Sequence, residues 1–257
     1  MAEWNAAQYL KFKAERTQPA LDLARRLSLL SPDTVLDIGC GPGNSTAVLK
    51  DLFPNADITG IDKSEAMLQE ARASYPELTF LQCDASDSLQ SLKKTFDIVF
   101  SNACIQWIPS HEKLIPAMMQ LLNSKGVLAV QAPINRNEPL HRVIDEVAAM
   151  PRWGFSEKSL EPNRMLSSEE YFDILSRCTD TFDIWETTYF HRMPSHEALL
   201  EWVKGTRLRP YLDALSETDS IAFQNAILQK AQILYPKCEN GEILFRFKRL
   251  FFTAVRN

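Results

Sequence analysis

Hydrophobic positions along this 257-residue chain switch repeatedly between the two periods that separate helix from strand. Leu21, Leu23, Ala24, Leu27 and Leu30 fall at helical spacing, so Gln8–Leu30 reads as one or two helices, broken by Ser31-Pro32-Asp33. From Thr34 onward the two rhythms alternate. Thr34–Ile38, Asp57–Ile61, Leu78–Gln82, Phe96–Ser101 and Val127–Gln131 are short runs, β-branched or apolar on both sides, and read as strands. Between them Ser45–Phe53, a segment from the cap Ser64 to about Ser74, and Glu112–Leu122 closed by Asn123 and Gly126 read as helices. Strands apolar on both faces and separated by helices predict a parallel sheet covered on both sides.

After Pro133 the rhythm changes. Glu138–Met150 reads as a helix, Pro151–Leu166 as a loop or insertion rich in Pro, Ser and Asn, and Ser168–Arg177 as a short helix capped by Ser167. Phe182–His191 alternates like a strand, Ser195–Lys204 and Glu217–Leu234 read as helices, and Glu242–Val255 is a long apolar and basic strand. Two strands that bracket a helical insertion fit an antiparallel sixth and seventh strand. The expected fold is α/β: a doubly wound, seven-stranded, mostly parallel sheet with a helical cap near the C-terminus. Within one domain spanning 1–257, residues 1–30 form a helical lid and 31–133 a ligand-binding core. Residues 134–181 are then a helical and loop insertion, and 194–236 the cap.

Composition narrows the function classes. Hydrophobic residues at 45% and charged residues at 24% describe a soluble globular protein, and no apolar run has the length of a membrane span. A net charge of −5 argues against nucleic acid as a partner. Met1 to Arg16 is polar and aromatic, without the apolar stretch of a signal peptide. Cys40, Cys83, Cys104, Cys178 and Cys238 are scattered and form no C-x-x-C pair. They are expected as free thiols in a reducing cytoplasm, neither a disulfide framework nor a metal site. Oligomeric state is not encoded in any of these features.

The chemistry concentrates in Val35-Leu36-Asp37-Ile38-Gly39-Cys40-Gly41-Pro42-Gly43-Asn44-Ser45-Thr46, where an apolar strand runs into three alternating glycines and then a helix. Glycine has no Cβ, so the backbone turns sharply and a ligand approaches it closely. The following helix aims unpaired N–H groups and a positive dipole end at the same place. A dinucleotide fingerprint has its third glycine one position later, where this chain has Asn44. The D-x-G-x-G-x-G form with Asp37 resembles instead the first motif of class I S-adenosylmethionine (SAM)-dependent methyltransferases. In those enzymes the loop wraps the amino-acid end of the cofactor. Ligands of such sheets sit at the carboxyl ends of the strands. Asp62, 19 residues after Gly43, is placed there for both ribose hydroxyls, or else as a helix cap. Asp84 and Ala85 match the positions that hold the adenine edge in SAM enzymes, although an Asp there also suits a solvated turn. Asn102 faces the methionine portion, and Ile61 and Met67 pack the adenine or simply fill core. The expected cofactor contacts are therefore Asp37, Gly39, Cys40, Gly41, Asp62, Met67, Asp84, Ala85 and Asn102.

Over its whole length the chain resembles the trans-aconitate 2-methyltransferase family. The resemblance is carried by Trp4-Asn5 with Tyr9, Glu15-Arg16 with Pro19, the glycine loop, Gly60-Ile61-Asp62, Asn102-Ala103 with Gln106-Trp107, and Gly126–Gln131. It continues through Asp183-Ile184-Trp185, Thr187-Thr188-Tyr189, His191, Met193–His196 and Trp202-Val203. Leu208-Arg209-Pro210, Glu239-Asn240-Gly241 and Arg249-Leu250-Phe251 complete it, while Pro151–Leu166 departs from it. It implies methylation of one carboxylate of trans-aconitate, giving a monomethyl ester and S-adenosylhomocysteine. A carboxylate is ionised at pH 7, with a reference pKa of about 4, so no catalytic general base is expected. Positioning is expected to do the work, with arginine for the carboxylates that do not react. The substrate contacts expected are Arg209 first and His191 second, with Gln106 and Trp107 after the fourth strand and Tyr9 on the lid. Arg207, Arg16, Arg136, Arg164 and His196 are further candidates. Three rival readings remain at this point: a methyltransferase for another acid, such as a malonyl thioester on a carrier protein; an NAD-dependent oxidoreductase; and a SAM-binding module without activity.

Overall fold

The computed structural model describes residues 13–134, 137–155 and 165–257. Helix α1 (Lys13–Arg25) leads into five strands interleaved with three α-helices: β1 (Thr34–Ile38), α2 (Asn44–Leu52), β2 (Asp57–Asp62), α3 (Glu65–Ser74), β3 (Thr79–Gln82), β4 (Phe96–Asn102), α4 (His111–Gln120) and β5 (Leu122–Pro133). Then follow α5 (Pro139–Ala148), α6 (Ser168–Cys178), β6 (Phe182–Met193), α7 (His196–Lys204), α8 (Arg209–Ala214), α9 (Glu217–Leu234) and β7 (Ile243–Val255). The seven strands form one sheet in the order β3-β2-β1-β4-β5-β7-β6. Neighbours from β3 through β5 pair in parallel, and β7 pairs antiparallel with β5. The doubly wound, mostly parallel sheet expected from the strand pattern is present, with α7, α8 and α9 between the last two strands.

Caps set the helix boundaries. Ser64 Oγ accepts from Met67 N and starts α3. Ser167 and Glu170 form a reciprocal capping box at the start of α6, which satisfies two orphan backbone donors at once. Two boundaries differ from the sequence reading. The fourth helix ends at Gln120, and β5 begins at Leu122, well before Val127. The strand register slips between Phe96↔Leu122 and Ile98↔Val127, and Lys125 takes a positive φ of 63°. The residues read as a helix stop therefore form an irregular strand entry. Helix α8 has no counterpart in the sequence pattern. It is only six residues long and carries Pro210 in its first turn, where proline is tolerated but a periodicity cannot build up.

The described residues divide into two compact units, one of 13–133, 165–187 and 249–257, the other of 134–155 and 188–248 as far as described. In the first, register gives each sheet face its own set of residues. Asp37 is level with Phe100, and Phe100 with Ala129. Alternation therefore puts Asp37, Asn102 and Gln131 on the face that α2 covers. On the other face Tyr171 of α6 packs against Phe252 at 5.7 Å between ring centres. The second unit has its own apolar core, built from α5, α7, α8, α9 and the first half of β7 around Leu140, Ile144, Trp202, Tyr211, Phe223 and Phe245. Strand β7 alternates buried and exposed from Ile243 to Lys248 and is then buried at every position from Arg249 to Phe252. That change marks where the strand becomes covered on both sides.

Candidate active site

The glycine loop is fastened by hydrogen bonds from three directions. Asp37, on the last turn of the pleat before the loop, is wholly buried. Its Oδ2 accepts from Ser45 Oγ at 2.6 Å and Thr46 Oγ1 at 2.7 Å, both in the first turn of α2. Its Oδ1 is buried and has no hydrogen-bond partner among the described residues. Burial raises this carboxyl to about 6, against the lowering effect of the two hydroxyls. From β2, Ile61 O accepts from Gly39 N at 2.8 Å and Cys40 N at 3.0 Å. Asp62 Oδ2 accepts from Gly41 N at 3.0 Å, and its Oδ1 accepts from Ser64 N at 2.9 Å. Ser64, not Asp62, is the helix cap. Asp62 instead ties the loop to the start of α3, and each of its oxygens keeps a lone pair for a further donor.

Gly39, Gly41 and Gly43 have φ values of 74°, 54° and 88°. A Cβ on Gly39 would lie 2.1 Å from Cys104 Sγ, whereas one on Gly41 would meet nothing within 4 Å. The loop is thus packed hard at its entry and open at its middle. No side chain caps α2 behind it, so its N-terminus suits an anionic group. Cys40 and Cys104 flank the loop; burial pushes the Cys104 thiol up to about 12 and the Cys40 thiol higher still, so both stay protonated.

The other strand ends surround this loop in the expected order. Ile61 and Met67 are buried, Ala85 is half-buried and Asp84 is exposed. The Ser86 amide donates to Asp84 Oδ1 at 2.9 Å and holds its carboxyl below the usual range. Asn102 ends β4 with a buried Oδ1 that has no hydrogen-bond partner among the described residues. Beyond it, Ala103 takes a positive φ of 52° while its N–H reaches Gln131 O at 2.9 Å. Gln106 is buried: its Nε2 donates to Ala103 O at 2.7 Å, and its Oε1 has no partner among the described residues. Trp107 next to it is 45% exposed, so it lies at the surface and is not core filler.

His191 and Arg209 belong to the second unit. His191 lies buried among aromatic rings, 4.6 Å from Trp202, 5.9 Å from Phe247 and 6.3 Å from Phe245 between centres. Arg209 opens α8, with its Nε 3.5 Å from Asp213. Arg207 pairs with Asp145, and His196 Nε2 is bonded to Tyr235 O at 2.8 Å, a structural contact. Tyr9 and Trp4, Arg136, Arg164 and the side chain of Arg16 lie outside the described residues. Two residues that carry the family resemblance, but to which the sequence assigns no site role, join the strand ends. Gln131 of β5 and Arg249 of β7 are both buried, and Arg249 Nη1 donates to Gln131 Oε1 at 3.2 Å. Among the described residues, no group of three or more His, Cys, Asp or Glu side chains is placed to hold a metal, and no helix is long and apolar enough to cross a membrane.

A sheet of this order with an open glycine loop and polar groups at successive strand ends defines a methyltransferase, and residues 35–126 match the family described as "Methyltransferase domain". Solved structures share the fold. The YcgJ protein of Bacillus subtilis superposes with a TM-score of 0.59 at 14% identity, covering 93% of this chain and 99% of that one. Haemonchus contortus phosphoethanolamine N-methyltransferase 2, solved with SAM, gives 0.56 at 18% identity, covering 93% and 53%. Sequence relatives are much nearer. The trans-aconitate 2-methyltransferase of Escherichia coli O7:K1 (strain IAI39 / ExPEC) is 45% identical over 258 residues, covering 100% of this chain and 99% of the relative. That of Shigella flexneri is 44% identical over 258 residues, with the same coverage. The chain belongs to the trans-aconitate 2-methyltransferase family.

Proposed function

We propose that the protein methylates one carboxylate of a small polycarboxylic acid, trans-aconitate, with SAM as the methyl donor, giving the monomethyl ester and S-adenosylhomocysteine. The observation that carries this reading is the 45% identity over the full length of a relative so named. The site's own chemistry supports the cofactor. The open cradle at Gly41, the N-terminus of α2 without a side-chain cap, the spare lone pairs of Asp62 and the orphaned Asn102 Oδ1 suit a ligand with anionic, hydroxyl and ammonium groups. Asp37, Gly39, Cys40 and Gly41 would shape its amino-acid end, Asp62 its ribose, and Met67, Asp84 and Ala85 its adenine. When bound, SAM supplies an electrophilic methyl group.

The acid needs no proton removed, so the protein's task is to align, to exclude water and to hold the carboxylates that do not react. Alignment alone can supply roughly 7–11 kcal/mol, and excluding water strengthens attraction between an anion and a cationic donor. Gln106, Trp107, His191 and Arg209, with Tyr9 on the N-terminal segment, are the substrate contacts proposed. The five cysteines, all free, support a reducing compartment, the cytoplasm.

The direct test is incubation with methyl-labelled SAM and a panel of acids, followed by assay of base-labile ester. Label on trans-aconitate is expected. Label on other acids, or on a malonyl thioester of a carrier protein, with none on trans-aconitate would overturn the substrate. Calorimetry is expected to show S-adenosylhomocysteine binding and no NADH binding. Two substitutions refine the site. Asp62→Ala removes the tie between the loop and α3 as well as the ribose acceptor. It is expected to weaken S-adenosylhomocysteine binding at least tenfold, and unchanged affinity would rule out the ribose role. Arg209→Ala is expected to raise KM for the acid about tenfold with cofactor affinity kept, the size of one charge-assisted contact; steady-state kinetics decide it.

A further inference from the structure

Gln131 and Arg249 stand at the carboxyl end of β5 and in the stretch of β7 beside it. Gln131 is level with Asn102 of β4 and with Phe251 of β7, and Arg249 lies two residues before Phe251. Asn102, Gln131 and Arg249 therefore project from the same face of the sheet, the one that also carries Asp37. This is the end of the sheet where the glycine loop opens. Gln131 has no exposed surface and Arg249 is 4% exposed.

A guanidinium only donates hydrogen bonds, so the atom of Gln131 facing it at 3.2 Å must be the amide oxygen. That fixes the orientation of the amide and leaves its NH2 group outside the bond to the arginine. Gln131 Nε2 is buried there and has no hydrogen-bond partner among the described residues. An orphaned buried donor is destabilising, and native proteins keep such groups where something else completes them. Two N–H donors beside a permanent cation, at the ligand end of the sheet, describe a receptor for an anion with two acceptor atoms. A carboxylate is that anion.

We propose that Gln131 and Arg249 hold a carboxylate of the acid that is not being methylated, with Gln131 Nε2 and the Arg249 guanidinium both donating to it. This rests on the reading of the substrate as a polycarboxylic acid and deepens it. The pair selects acids with a second carboxylate, and Arg249 is a substrate-binding residue on the strand after the cap.

Gln131→Glu separates this role from a purely structural contact. Glutamate offers Arg249 a stronger partner and so preserves any structural function, but puts a negative charge where the substrate carboxylate is to sit. KM for trans-aconitate is expected to rise at least 100-fold. Affinity for the acid, measured by calorimetry on the complex with S-adenosylhomocysteine, is expected to fall equally. Affinity for S-adenosylhomocysteine itself should stay within threefold, and the melting temperature should not drop. Gln131→Met, similar in length but without donor or acceptor, is expected to weaken acid binding about tenfold and serves if the glutamate variant does not fold. A folded variant of either kind that binds the acid like wild type, or that loses cofactor and acid affinity together, overturns the assignment. Wild-type protein that methylates no acid at all overturns the proposed function and this assignment with it, whereas an active wild type beside an unaffected Gln131→Glu overturns the assignment alone.

Discussion

Gly39→Ala is expected to abolish cofactor binding and to lower stability by about 2–5 kcal/mol, from two independent causes. The first is conformational: a φ of 74° lies in the left-handed region, which costs a residue with a Cβ roughly 1–2 kcal/mol. The second is steric. The new methyl would sit 2.1 Å from Cys104 Sγ and 2.4 Å from Cys104 Cβ, and overpacking of this kind typically costs about 1–3 kcal/mol. The second distance decides what a rescue must look like. Cys104→Ala removes the sulfur and leaves the Cβ, so the double variant with Gly39→Ala should remain defective. Cys104→Gly removes both atoms and should recover only the steric share, leaving the strain. The loop cannot relax outward, because the Gly39 and Cys40 amides are both bonded to Ile61 O and the Gly41 amide to Asp62. Thermal melts and S-adenosylhomocysteine titrations of the three variants check the sequence of effects. Wild-type binding by Gly39→Ala would mean that the loop is softer than its hydrogen bonds imply.

The glycine loop was legible in the sequence because its chemistry is local: strand, three glycines and helix follow one another within a dozen residues. The same holds for Asp62, Asp84 and Asn102, each marked by a polar residue at the end of an apolar run. The alternation of the two periods was enough for the sheet and its flanking helices. What escaped were features set by pairing between distant segments. Gln131 and Arg249 are 118 positions apart, and only the placement of β7 next to β5 joins them. Their signal was present but quiet: a glutamine inside the buried run Val127–Ala132 and an arginine at the head of the buried run Arg249–Phe252. The sequence pattern points to Asp37 only as a cofactor contact, whereas its bonds to Ser45 and Thr46 show a second duty, holding the first turn of the helix against the strand. Helix α8 was invisible because six residues are too few to establish a period.

That second duty makes Asp37 the source of the other large effect. Its carboxyl moves from the ordinary 3.8 to about 6 on folding because burial disfavours the charged form. Between about pH 4 and pH 6 the folded state therefore holds a proton that the unfolded state has released. Stability contributed by the protonated group is fully present below pH 4, is lost as pH rises through 6, and is constant above that. The difference corresponds to about 3 kcal/mol. Other carboxylates titrate in the same range, so Asp37→Asn is the reference that isolates this one. Its oxygen can take the two hydroxyls of Ser45 and Thr46, while its NH2 lies where Oδ1 has no partner, a roughly constant penalty of about 1–3 kcal/mol. The stability of Asp37→Asn relative to wild type is expected to improve by about 3 kcal/mol between pH 4 and pH 7, as read from urea unfolding at each pH. A difference that does not vary with pH would place the charge elsewhere. A bound SAM, with its sulfonium and ammonium charges, favours the ionised carboxylate. In saturating cofactor the wild-type transition is thus expected to move to lower pH, while Asp37→Asn shows no such movement. The buried carboxylate weakens the empty fold at neutral pH, and a cationic ligand at the loop offsets that weakness.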